Sequence, residues 1–96
     1  MIKSFRHKGV RKFFETGIES GIQAHHAAKL RMQLSALDMA RKPEDMNAPN
    51  WDLHPLHNKG KLKLKGHFGI SVTGNWRLTF TFDGEDAILV DYMDYH

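Results

Sequence analysis

The sequence predicts an α+β domain, with N-terminal helices packed on one face of a small antiparallel β-sheet. In the first half, apolar residues recur at helical spacing: Val10, Phe13 and Phe14, then Ala27, Leu30, Leu34 and Leu37. In the second half the period is two. Phe68, Ile70 and Val72 alternate with His67, Gly69 and Ser71, and Trp76, Leu78, Phe80 and Phe82 alternate with Arg77, Thr79 and Thr81. Helices followed by a meander of strands is the α+β order.

Residues 2–5 read as a short edge strand. A helix is predicted over 8–16, ended by Gly17, because glycine tolerates the left-handed conformation of a helix stop. Ser20-Gly21 is a connector. The longest helix runs from about 24 to about 40, with Lys29, Arg31 and Gln33 off its apolar face. Pro43 opens a further turn, where Glu44 and Asp45 suit the positive end of a helix dipole. A loop covers 47–50. Residues 51–56 should form a short strand, restricted by Pro55 to an edge or a strand end. A glycine-bounded basic segment, 58–66, precedes a strand over 67–72. Thr73-Gly74-Asn75 and Asp83-Gly84-Glu85-Asp86 read as turns around the strand 76–82, and 87–92 returns as its partner. The inner sheet face should carry Trp76, Leu78, Phe80 and Phe82. The outer face should be polar and shallow, with Arg77 in its middle.

Ninety-six residues make one domain, 1–96, able to bury a core of its own. The chain has no cysteine, so neither disulfides nor a thiolate zinc site are available, and a reducing, cytoplasmic setting fits. The basic first residues are not followed by an apolar run, so no signal peptide is expected. No stretch approaches the roughly 20 apolar residues of a membrane span. Fourteen Lys plus Arg against 11 Asp plus Glu give a net charge of +3, which permits a nucleic-acid or acidic protein partner.

Lys59, Lys61, Lys63 and Lys65 occupy alternate positions. If the segment is extended, their ammonium groups project to one side at about 6.6 Å intervals. Such a row can follow an RNA backbone. It can equally be a solvated edge that blocks sheet-to-sheet association. Seven histidines are present. His25-His26 reads as a surface pair at a helix start. His54 and His57 form an H-x-x-H pair, but the intervening proline and the lack of further ligands nearby argue against a metal. No cofactor is expected.

Cleavage of RNA by its own 2′-hydroxyl needs a base, cations on the phosphoryl oxygens and an acid for the departing 5′-oxygen. His54, Arg77, Asp94, Tyr95 and His96, with a lysine from 59–65, are groups of the right kind, although spacing alone does not make them converge. There is no glycine-rich phosphate loop and no nucleophile elbow.

As a set, Met1-Ile2-Lys3-Ser4-Phe5 with His7-Lys8-Gly9, Leu53-His54-Pro55-Leu56, Asn75-Trp76-Arg77-Leu78-Thr79-Phe80 and Asp91-Tyr92-Met93-Asp94-Tyr95-His96 resemble the HigB branch of the RelE/ParE toxin superfamily nearly end to end. The resemblance implies a compact RelE-like fold. It implies a ribosome-dependent endoribonuclease that cuts mRNA in the ribosomal A site, silenced by a HigA-type helix-turn-helix antitoxin. DNA would be met only through that antitoxin. It also implies catalytic roles for His54, Asp94, Tyr95 and His96, with Arg77 on the scissile phosphate. The sequence departs from the family in two places. His57-Asn58 separates the L-H-P-L box from Lys59-Gly60, and Phe68-Gly69 replaces an aromatic pair. Lys59 is then the expected catalytic lysine, and Lys61, Lys63 and Lys65 extend the RNA grip. Two other readings compete: a ParE-like toxin that binds and poisons gyrase without cutting, and an inert RNA-binding domain. The histidine-bearing set favours the nuclease.

Overall fold

The computed structural model describes residues 1–95. Helix α1 (Lys8–Thr16) is followed by a 3-10 turn (Ala24–His26) that runs into helix α2 (Ala27–Met39). A second 3-10 turn (Pro43–Met46) leads to strands β1 (His54–Pro55), β2 (Phe68–Thr73), β3 (Trp76–Asp83) and β4 (Asp86–Asp94). The strands form one antiparallel sheet in the order β1-β2-β3-β4. This is the α+β arrangement that the periodicities predict. No helix among the described residues is long and apolar enough to cross a membrane.

His7 caps α1: its Nδ1 accepts the Val10 N–H at 3.0 Å. Gly17, at φ 79°, ends the helix by donating its N–H to the Phe13 carbonyl. Leu30, Leu34 and Leu37 of α2 are fully buried, in one cluster with Ile70, Val72, Leu78, Phe80 and Val90 of the sheet. Each such leucine contributes about 1.5–3 kcal/mol by leaving water. The buried Gln33 side chain donates to the Ser71 carbonyl at 2.8 Å, tying α2 to β2. Gly9 and Gly21 cross so closely that a Cβ on either would run into the backbone of the other.

Two strand expectations shrink. Residues 2–5 make only isolated parallel bridges to β4, Ile2 to Ala87 and Phe5 to Val90. Between them β4 bulges at Leu89, which takes φ 56° and donates its N–H to Ser4 Oγ. The strand expected over 51–56 is two residues long, His54–Pro55. Asn50 and Asp52 adopt φ of 69° and 53°, so the chain turns where a ladder would need extended backbone.

The β4 bulge also sets which side chains face which way. Thr79 pairs with Asp91 but Thr81 pairs with Ile88, so β4 carries one residue more than β3 across this span. The extra residue lets Ala87, Val90 and Tyr92 all be buried in the core. Beyond it, regular alternation leaves Asp91, Met93 and Tyr95 on the face away from the helices.

Candidate active site on the outer face of the sheet

Cα pairing places His54, Gly69, Thr79 and Asp91 in one row across the four strands, and Ser71, Arg77 and Met93 in the next. Paired residues share a face. His54, Arg77 and Tyr95 therefore lie on the outer face. Strand spacings put the Cα of Arg77 about 12 Å from that of His54 and about 8 Å from that of Tyr95. The three form a diagonal across the sheet, with the arginine in the middle.

His54 is half-buried, and its Nδ1 lies 2.7 Å from the carbonyl oxygen of Asp52. A carbonyl only accepts, so Nδ1 carries the proton. That leaves Nε2 as the nitrogen able to take one. The unusual φ of Asp52 is what brings its carbonyl to the ring. Arg77 is half-buried and folds back over its own turn. Its Nη1 donates to Gly74 O at 2.7 Å and Trp76 O at 3.2 Å, and its Nε is buried with no partner among the described residues. A buried donor without an acceptor is costly, and a turn of the guanidinium away from its own carbonyls would present it to a phosphate oxygen.

Tyr95 extends the β4 ladder by donating its N–H to Asn75 O at 2.8 Å, and Lys59 Nζ stands 4.9 Å from the centre of its ring. Asp94 pairs with Trp76, so its Cα starts from the helix side of the ladder, at an exposed margin. The structure thus groups His54, Arg77, Tyr95 and Lys59 on one face and sets Asp94 at its edge. His96 lies outside the described residues.

The basic segment does not run as an extended row. Leu62 N–H donates to Lys59 O, Gly60 and Gly66 take φ of 58° and 89°, and Asn58 Oδ1 accepts the N–H groups of both Leu64 and Lys65 at 2.9 Å. Lys59, Lys61, Lys63 and Lys65 are all exposed, but the looped backbone does not hold their ammonium groups in one line. The loop instead folds over part of the outer face. Leu64 is fully buried, Leu56 packs against Gly69, and Thr81 Oγ1 donates to Gly66 O at 2.9 Å. The outer face is therefore less open than the alternation implies. His54, Arg77 and Tyr95 each keep part of their surface in solvent.

Two buried histidines escape the sequence reading. His67, expected to face outward, does so but is covered. Burial pushes its pKa below the usual 6.5, with Arg6 adding to the fall and Asp91 opposing it. His26, expected at the surface, is only 1% exposed. It lies against Tyr92 on the helix side, where burial and then neighbouring His25 lower its pKa. Only the high histidine count hints at either. Two concavities lie away from this face. One of about 330 Å³ sits between the end of α1 and α2, and one of about 230 Å³ lies beside residues 2–5.

The family model described as the RelE-like toxin of type II toxin–antitoxin system HigB matches residues 3–96. Endoribonuclease HigB of Proteus vulgaris is 41% identical over 96 residues, covering 100% of both chains.

Proposed function

This chain belongs to the HigB-like family of RelE-like toxins from type II toxin–antitoxin systems, and from that premise we propose that it is an endoribonuclease cutting mRNA in the ribosomal A site and so stopping translation. The observation that carries this reading is the half-buried Arg77, whose Nε lacks an acceptor among the described residues, lying between His54 and Tyr95 on the outer face.

A base removes the 2′-hydroxyl proton. The 2′-oxygen attacks phosphorus, the bond to the 5′-oxygen breaks, and an acid gives that oxygen a proton. The products are a 2′,3′-cyclic phosphate and a free 5′-hydroxyl. His54, with Nε2 open, and His96 move the protons. Arg77 meets the charge building on the phosphoryl oxygens, where fixed donors act most strongly. Lys59 adds a second cation, while Asp94 and Tyr95 orient or assist. Nothing in this scheme calls on a metal.

His54, Arg77 and Tyr95 lie on one sheet face, each partly in solvent, and the ribosome completes the site by holding the ribonucleotide bent for in-line attack. Membership of a type II toxin family implies an antitoxin partner. We assign that role to a HigA-type helix-turn-helix protein, through which the toxin meets operator DNA, with the complex in the cytoplasm.

The test is induction in cells with mapping of mRNA 5′ ends. Cuts within translated codons are expected, and His54→Ala or Arg77→Ala should abolish both cuts and growth arrest while the protein stays folded. DNA damage without mRNA cuts would replace this reading with gyrase poisoning.

A further inference from the structure

Beneath the outer face, on the helix side, His26, Tyr92 and Trp76 form a cluster in the same strand ends that carry Arg77 and Tyr95. Nδ1 of His26 is 2.5 Å from the Tyr92 hydroxyl. That hydroxyl oxygen also accepts the Gln23 N–H at 3.3 Å. The bond can run either way, from the phenol to a bare Nδ1 or from Nδ1–H to the phenol oxygen, which has a second lone pair to offer. Nε2 is buried with no partner among the described residues. A charged ring here would always carry a proton on Nε2, with nothing among the described residues to receive it. The bond is therefore built around the neutral imidazole.

The Tyr92 ring stacks on Trp76, with centroids 4.6 Å apart and planes 29° apart, and His7 and His26 meet it edge-on. Trp76 pairs across the ladder with Asp94, and Arg77 pairs with Met93, the residue after Tyr92. Arg77 is joined to Trp76 by one peptide unit, and Tyr95 follows Tyr92 by three residues. A sheet is one residue thick, so a sideways shift of Trp76 or Tyr92 carries the side chains of the opposite face with it.

We propose that His26 and Tyr92 are positioning residues for the cleavage reaction: their hydrogen bond locks the ends of β3 and β4 to the start of α2 and so holds Arg77 and Tyr95 in place for the substrate. Neither touches RNA. The inference rests on the endoribonuclease reading above. Among the described residues, His7 from the residue before α1 and His25 from the turn before α2 are titratable rings in contact with this pair.

The experiment is steady-state mRNA cleavage on programmed ribosomes by the full chain and three variants, well below the lowest melting temperature. Tyr92→Phe removes one oxygen, His26→Leu removes its partner, and His26→Asn keeps a hydrogen-bonding group near the Nδ1 position. Tyr92→Phe and His26→Leu should lower kcat about tenfold with KM for ribosomes little changed, since a misplacement of under 1 Å is enough for such a loss. His26→Asn should recover most of it. If His26→Leu does not fold, Tyr92→Phe decides. Folded Tyr92→Phe with the wild-type kcat, or with a change in KM alone, overturns the inference and leaves the nuclease reading standing. A wild-type chain that leaves mRNA uncut removes the nuclease reading and this inference with it.

Discussion

Lys59 reaches across the outer face until its ammonium group stands 4.9 Å from the centre of the Tyr95 ring. The contact joins the basic loop to the end of β4, two segments 36 positions apart in the chain. A cation over an aromatic face is attracted by the ring's negative centre. Residues that act as a unit do not lose activity independently. Lys59→Gln and Tyr95→Leu should each slow cleavage on the ribosome, and the double variant should lose clearly less than the product of the two single losses. Multiplicative losses in a double-mutant cycle would show that the pair is not coupled.

The remaining lysines should act through charge and not through register, because the looped backbone does not hold them in a row. Replacing Lys61, Lys63 and Lys65 with Gln should weaken ribosome binding and flatten its dependence on salt by about 2 in the log–log slope, at roughly 0.7 for each phosphate no longer neutralised. Affinity measured at several ionic strengths checks this. An unchanged slope would mean that these side chains are solvated and idle.

Stability should fall on mild acidification. His26 and His67 both have pKa values lowered below the ordinary 6.5 by burial, so the unfolded chain binds protons more readily than the folded one. The stabilisation from keeping these rings neutral is fully present above 6.5. It is lost as pH falls from there towards and through the folded-state values. Urea melts across this window should show stability rising with pH, and His67→Phe should reduce the slope. A flat profile from about pH 5 to about pH 7 would contradict it.

Gly9→Ala should be among the most damaging single changes. Its new methyl group would meet the Gly21 backbone, which has no flexible end to swing aside, and overpacking of this kind costs about 3 kcal/mol. Gly17→Ala meets nothing and strains only one residue at φ 79°, for about 1 kcal/mol. Paired denaturation curves should show the first variant clearly weaker than the second.

Much of the fold can be read from local pattern. The helix over 8–16 with its glycine stop, the α2 stripe, the turn at Pro43 and the three long strands all follow from periodicity and turn chemistry, and all are present. Residues 51–56 mislead because Asn50 and Asp52 adopt left-handed backbone, which their neighbours in sequence do not announce. The lysine alternation misleads for a related reason. Period two describes an extended chain, and Asn58 and two glycines fold this one into turns. His26 looks exposed because polarity is the only guide to it. Its partner, Tyr92, lies 66 positions away.

Local pattern and residue identity suffice for the α+β order, for the inner and outer sets of the strands, and for the motifs that mark the chain as a toxin of this family. Each of these is a property of near neighbours or of single residues. It takes the folded chain to show that Arg77 lies between His54 and Tyr95, that Lys59 reaches Tyr95, and that His26 braces Tyr92 from below. Those relations depend on strand register, on the one-residue bulge at Leu89 and on where α2 lands. They are set by packing among residues far apart in the chain, which no local pattern records.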